Sequence, residues 1–340
     1  MAQEPLNKDG PGYFKAPVFA VAPMIDWTDR HCRFLHRQMS RRALLFTEMV
    51  VADAIIHGPR ARLLGHHAAE HPLALQLGGS DPVKLKQAVR IAADYGYDEI
   101  NLNVGCPSDR VQSGTFGACL MKTPDVVAEC VEAMKSVATV PVTVKCRIGV
   151  DDQNPQEVLP AFLEKMIQVE VGAVWIHARK AWLQGLSPKE NRDIPPLDYD
   201  LVHAMKREFP NLFMGINGGI ETLSQGLQHL SHMDGIMLGR AVYHHAAMLS
   251  EVDHLIYGDA AKPVDWNALC DTLMGYAGAH IAEGGKLSNV TRHMVGLFSG
   301  ISGARRFRQI LSTEATRPGA GPEVIAAAFS AIDLEEPATA

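Results

Sequence analysis

EINLNVGCPS, residues 99–108, opens as a buried strand and breaks at a thiol. Ile100, Leu102 and Val104 alternate with Asn101 and Asn103, the two-residue period of a strand. Gly105, Cys106 and Pro107 then end the run. A lone cysteine in such a place often does no more than fill a turn as a small apolar residue. The rest of the chain decides whether Cys106 does more.

Seven further short apolar runs recur: FAVAPM (19–24), ALLFTEM (43–49), LALQLGG (73–79), PVTVKCRIG (141–149), AVWIHAR (173–179), LFMGINGG (212–219) and GIMLGRA (235–241). Each is separated from the next by enough chain for a helix. SDPVKLKQAVRIAADYG (80–96) is predicted as one, with Ser80 or Asp81 as cap, Pro82 in the first turn, and Val83, Leu85, Val89 and Ile91 on the apolar side. TPDVVAECVEAMKSV (123–137) repeats the recipe with Thr123 as cap. Strand–helix alternation over about 240 residues predicts a parallel (β/α)8 TIM barrel. A doubly wound sheet would carry GxGxxG after an early strand, where this chain has APMIDWTD. From about Lys262 onward, helical apolar spacing in WNALCDTLMGYAGAHIAEG predicts a small all-helical domain. The expected division is a catalytic barrel over 1–258 and a helical domain over 259–340, ending in a flexible tail.

The bulk properties fit a water-soluble enzyme. Of 340 residues, 47% are hydrophobic and 21% charged, with a net charge of −6. The six cysteines form neither a CxxC pair nor a zinc-finger spacing, so reduced thiols and a cytoplasmic location are expected, with no metal. The polar opening MAQEPLNKDGPGYFKAP predicts no signal peptide, and no run approaches the roughly 18 apolar residues of a membrane span.

Barrel enzymes work at the C-terminal ends of their strands. Those ends here carry Pro23, Met24, Glu48, Gln76, Asn101, Asn103, Cys106, Lys145, Arg147, His177, Arg179, Asn217, Gly218, Gly219, Gly239 and Arg240. INGG after the seventh strand and LGRA after the eighth suit a phosphate, with glycine amides approaching the oxygens and Arg240 adding charge. Lys145, in an otherwise apolar strand, needs an anionic partner. FMN fits this set better than a nicotinamide dinucleotide: Gln76 at the ring edge, the backbone of Ala22, Pro23 and Met24 along the ring, His177 at the ribityl chain or phosphate. The alternatives for Lys145 and His177 are a solvent-facing lysine and a satisfied core histidine.

At this point the sequence resembles the tRNA-dihydrouridine synthases. The resemblance is carried by APMIDWTDR (22–30), FTEMVVADAI (46–55), LQLGGSDP (75–82), NLNVGCPS (101–108), VKCRIG (144–149), IHARKAWLQGLSPKENRDIPPLDY (176–199), INGGI (216–220) and LGRAVY (238–243), with the 176–199 stretch similar to the A-type subfamily. It implies an FMN enzyme that reduces uridines at positions 20 and 20a of the tRNA D-loop, with NADPH or NADH as electron donor. It implies Met24, Gln76, Lys145, His177, Asn217, Gly218, Gly219, Gly239 and Arg240 as FMN contacts, Cys106 as proton donor and Asn103 as a contact to the target base. It also implies Lys189, Arg192, Arg305 and Arg308 as tRNA contacts. Hydride at C6 comes from the cofactor, and the proton at C5 comes from a thiol, which stays protonated at neutral pH yet can give its proton up.

Between Glu283 and Glu314 there is no carboxylate, while Lys286, Arg292, Arg305, Arg306 and Arg308 are present. Arg305 and Arg308 share a helix face by their i, i+3 spacing. Such a run is either a solvated face or a phosphate-binding one. The loop 105–122, with Gly105, Gly114 and Gly117, is expected either as a mobile lid or as a static surface loop. Two other readings remain: an FMN barrel acting on a small free pyrimidine, like a dihydroorotate dehydrogenase, and a catalytically silent RNA-binding barrel. A monomer with tRNA as its partner and no membrane association is expected.

Overall fold

The structure is a computed structural model that describes residues 17–108 and 116–333. Gly114 and the middle of the proposed lid lie outside the described residues, as do residues 1–16 and 334–340. The described residues form two compact units, one of 17–25 with those of 44–239, the other of Asp26–Ala43 with 240–333.

The first unit is the expected barrel. β1 (Val18–Val21), β2 (Leu44–Val51), β3 (Leu73–Gly78), β4 (Glu99–Val104), β5 (Val142–Arg147), β6 (Val174–His177), β7 (Met214–Asn217) and β8 (Gly235–Leu238) close in sequence order, all pairs parallel. The apolar runs become strands because each can be buried on both faces, as a parallel barrel requires.

Proline and a preceding polar cap start three of the intervening helices, Pro82–Ala92, Pro124–Lys135 and Pro155–Gln168. Of the two candidate caps for the first, Asp81 does the work, accepting from the amides of Val83 and Lys84 at 2.9 and 3.2 Å. Thr123 takes the cap position of the second, but its side chain makes no capping bond. The buried face of Pro82–Ala92 is Leu85, Ala88, Val89 and Ala92, not the face that includes Val83 and Ile91; Val83 is 74% exposed. The i, i+3, i+4, i+7 set wins because the small alanines let the helix lie close to the strands, where a sequence reading favours the bulkier residues.

Inside the barrel, Val18, Ala20, Ala22, Leu44, Phe46, Ala74, Ala173, Trp175 and Met237 form one buried cluster. Trp175 is completely buried and fills the space a side chain at position 215 would need: a Cβ on Gly215 would lie 2.1 Å from its ring. Register places these two residues side by side, with Gly235 next to Gly215 on β8.

The second unit contains helices Arg30–Met39, Arg240–His244, Trp266–Ala282, Leu287–Thr291, Ala304–Thr313 and Glu323–Phe329. Phe298, Phe307 and Phe329 pack edge to face, with centroids 5.0 to 5.7 Å apart. The unit gathers Asp26–Ala43 and the segment from Arg240 that the sequence division at 258/259 leaves with the barrel. The physical reason is specific: Phe34 stacks on Tyr276 at 3.9 Å, and Asp29 meets Arg292 at 2.5 Å and His293 at 3.0 Å. These contacts span more than 200 positions of sequence and leave no local signal. Beyond Arg317, where a flexible tail is expected, helix Glu323–Phe329 buries Ile325, Ala328 and Phe329. Among the described residues no helix is long and apolar enough to cross a membrane.

Candidate active site

The C-terminal ends of β3, β4 and β5 carry a continuous hydrogen-bonded array. Asn103 and Lys145 are register partners on β4 and β5, as are Gln76 and Asn101 on β3 and β4. The Gln76 amide nitrogen donates to Asn101 Oδ1 at 2.8 Å, and its oxygen accepts from Asn103 Nδ2 at 2.8 Å. Asn103 Oδ1 then accepts the backbone N–H groups of Gly105 and Cys106 at 3.1 and 2.9 Å. A turn that would otherwise leave two amides to solvent is thus tied to the strand preceding it. The Cys106 carbonyl accepts from the Ala118 amide at 2.9 Å, and the residue is half-buried.

Lys145 donates to Asn217 Oδ1 on β7 at 3.1 Å, while Asn217 Nδ2 donates to the Met237 carbonyl on β8 at 2.7 Å. Burial pushes the ammonium of Lys145 down to about 8, and the guanidinium of Arg147 lowers it further. Burial also pushes Arg147 down to about 10. Arg147 donates to the carbonyls of Gly105, Lys180 and Asn191, each at 2.9 Å, so one side chain ties the loops after β4 and β6 together. Burial, followed by the charges of Arg147, Lys145, Arg179 and Arg192, holds His177 far below its ordinary value. The imidazole is therefore neutral, and its buried Nε2 has no hydrogen-bond partner among the described residues.

Beside it, Gly218 and Gly219 have φ of 111° and 67°, and a Cβ on either would lie 2.5 Å from His177 or Leu197. Only glycine fits both the backbone conformation and the space. Tyr199 Oη donates to the Gly218 carbonyl at 2.6 Å and fixes the turn. Ala22, Met24 and Gly239 meet at the ends of β1 and β8: the Ala22 amide donates to the Leu238 carbonyl at 2.8 Å, and a Cβ on Gly239 would touch Met24 Sδ at 3.3 Å. Pro23, between them, is half-buried.

The structure thus brings Gln76, Asn103 and Cys106 into one array, Lys145 and Asn217 into another, and His177 against Gly218. Arg240 opens a helix of the second unit, one residue after Gly239. Lys189 is exposed and Arg192 half-buried around the short turn Glu190–Arg192, which Asn191 holds by bonds to Trp182 and Leu186. In the second unit Arg305 and Arg308 are exposed on helix Ala304–Thr313, whereas Arg306 pairs with Glu314 at 3.6 Å and Arg292 with Asp29. Two cations of the carboxylate-free run are therefore paired.

Sequence reasoning placed Arg147 at a strand end but gave it no role, although its i+2 relation to Lys145 puts both on one face of β5. It also passed over Glu99 and Thr143, whose polar side chains were the available signal. A cavity of about 730 Å³ lies elsewhere, at the opposite strand ends, lined by Pro141, Gly172 and Phe213 among others.

A closed parallel barrel with a half-buried thiol, a buried lysine and two positive-φ glycines at the C-terminal strand ends has the layout of a barrel enzyme. The chain belongs to the dihydrouridine synthase family, whose profile matches residues 20–333. It is 53% identical over 318 residues to the tRNA-dihydrouridine(20/20a) synthase of Shewanella oneidensis, covering 94% of this chain and 95% of that protein. It is 51% identical to the protein of the same name from Vibrio cholerae, covering 93% and 97%, and 53% identical to that of Escherichia coli K12, covering 90% and 89%.

Proposed function

We propose that this protein reduces uridine to 5,6-dihydrouridine at positions 20 and 20a of the tRNA D-loop, with FMN as cofactor and NADPH as electron donor, acting as a cytoplasmic monomer. The observation that carries the reading is the pairing of Asn103, which holds the Cys106 turn, with Lys145 on the neighbouring strand.

The chain's residues fit FMN. Lys145 and the neutral His177 offer donors to an anionic, hydrogen-bond-accepting group, and among the described residues the buried His177 Nε2 has no other partner. Gly218 and Gly219 leave their backbone bare for a phosphate, and Arg240, next in the chain to Gly239, adds a cation. Gln76 and the backbone of Ala22, Pro23 and Met24 would hold the ring. Bound FMN supplies the hydride that goes to C6 of the base.

Cys106 Sγ gives its proton to C5, and the two amides locked on Asn103 keep that thiol in place. Asn103 spends one amide N–H on Gln76 and has a second for the base. Lys145 stabilises negative charge developing in its neighbourhood. A stacked uridine has to leave the folded tRNA to reach this mouth, which calls for contacts to backbone phosphates. Lys189, Arg192, Arg305 and Arg308 supply them.

The test is turnover on tRNA lacking dihydrouridine, with NADPH, beside free uracil and orotate, and with released flavin identified. Dihydrouridine mapped to positions 20 and 20a, and none from the free pyrimidines, is the expected result. Turnover of orotate and not tRNA would overturn the reading.

A further inference from the structure

The array that holds Cys106 does not stop at Gln76. Asn101 Nδ2 donates to Thr143 Oγ1 at 2.7 Å, and the Thr143 hydroxyl donates to Glu99 Oε1. Glu99, Asn101 and Thr143 are all completely buried. The result is a chain of side chains from Glu99 to the Cys106 turn: Glu99, Thr143, Asn101, Gln76, Asn103.

Its direction is not free. The Gly105 and Cys106 ends are backbone N–H groups, which only donate. Asn103 must therefore present its oxygen to them and its nitrogen to Gln76. That obliges Gln76 to accept from Asn103 and donate to Asn101. Asn101 must in turn donate to Thr143, and the hydroxyl, having accepted, must donate onward. The far end needs an acceptor, and Glu99 Oε1 is it. If the last acceptor is lost, the buried Thr143 hydroxyl has no onward partner, and the hold on Asn101, Gln76 and the Asn103 turn slackens from that end.

We propose that Glu99, acting through Thr143 and Asn101, is a positioning residue for the reaction: it terminates this chain and so fixes both the Gln76 amide and the turn that carries Cys106. The proposal rests on the functional reading above. Glu99 does this without charge. Its Oε2 is buried with no hydrogen-bond partner among the described residues, and burial, with the nearby Asp98 adding to it and the Thr143 bond opposing, pushes its carboxyl up to about 8. The neutral acid keeps its proton on Oε2 and leaves Oε1 to accept. Glutamine preserves that oxygen, and leucine removes it.

The test compares Glu99→Leu, Glu99→Gln, Thr143→Val and Thr143→Ser, all as flavin-loaded protein. Two readouts are taken: dihydrouridine formed on tRNA lacking it, and the rate at which iodoacetamide alkylates Cys106, followed by peptide mass. Glu99→Leu and Thr143→Val should slow dihydrouridine formation about tenfold, a modest loss for misplacing a reacting group. They should speed alkylation of the loosened thiol about threefold, while Glu99→Gln and Thr143→Ser stay within about twofold of wild type in both. Should Glu99→Leu not fold, Thr143→Val, nearly the same shape, carries the test. Wild-type behaviour of Thr143→Val in both readouts would overturn the proposal. So would Glu99→Gln failing as badly as Glu99→Leu, since the charge and not the acceptor would then matter. A wild-type protein that forms no dihydrouridine would instead overturn the functional reading, and the alkylation rates would still decide the role of Glu99.

Discussion

On β6, β7, β8, β1 and β2 the positions that face the barrel interior carry Trp175, Gly215, Met237, Ala20 and Phe46; β3, β4 and β5 carry Gln76, Asn101 and Thr143. The first wall is held by shape, an indole sunk into the space above a glycine. The second is held by hydrogen bonds in which every donor has one permitted acceptor. A shape-held wall tolerates changes that conserve volume, because dispersion and burial do not depend on direction. A hydrogen-bonded wall tolerates almost none, because one lost partner leaves a buried polar group that costs about 1–3 kcal/mol. The walls should therefore fail differently: the apolar one by losing stability, the polar one by losing reaction rate.

The largest expected effect falls on the polar wall. Cys106→Ala should lower dihydrouridine formation by about 10²–10⁴-fold, the usual worth of a positioned acid, with melting temperature and flavin content unchanged. Product assays beside thermal melts check this, and near-normal turnover would mean that another group gives the proton. On the other wall, Trp175→Ala should cost about 3–5 kcal/mol in denaturant unfolding, as large-to-small core changes do. Gly215→Ala, whose Cβ would lie 2.1 Å from the same ring, should cost at least as much, beyond the usual range of overpacking. A Trp175→Ala protein with normal stability but no activity would break the comparison.

A hybrid sharpens it. Lys145→Met brings apolar character into the polar wall and should weaken flavin retention on dialysis. It should also change how the flavin-free protein responds to pH. In the wild type the folded ammonium titrates near 8 and the unfolded one near 10.5, so between those values the unfolded chain holds a proton that the folded chain has released. Stability should therefore rise across that window and carry its full penalty below it. In Lys145→Met this rise should vanish, as urea titrations from pH 7 to 10.5 would show.

The smallest effect lies in the other compact unit and should move neither wall. Arg305→Ala with Arg308→Ala should lower the salt slope of tRNA binding by about 1 per residue, with flavin content intact. Unchanged affinity and slope would leave that helix a solvated face and turn attention to Lys189 and Arg192.

The strand count was legible in the sequence, because burial on both faces of a parallel barrel leaves short apolar runs such as VWIH and GIML. Lys145 stood out for the same reason, as a charge among apolar neighbours. What the sequence could not supply was register. Asn101 and Thr143 are 42 positions apart, and nothing local says that they face one another. The pairing of Asp29 with Arg292 was hidden in the same way, which is why a boundary drawn by composition left Asp26–Ala43 with the barrel. Its consequence can be measured. Burial pushes the Asp29 carboxyl up, but His293, the Cys32 amide and Arg292 overcome this and hold it far below the carboxylate range. The stability it lends is present above about pH 4 and is lost as the pH falls below that.

The Trp175 ring, lying where a side chain on residue 215 would go, makes those two positions a matched pair in descent. A lineage cannot trade the indole and the glycine for two middle-sized residues in either order at equal cost. Adding the side chain first meets the ring at 2.1 Å, while shrinking the ring first leaves only a void. A core absorbs a void of a few methylenes more readily than a hard overlap with a fixed backbone. Relatives that have changed both positions should therefore have passed through ancestors with a smaller residue at 175 and glycine still at 215. Reconstructed ancestral sequences can be read for that order.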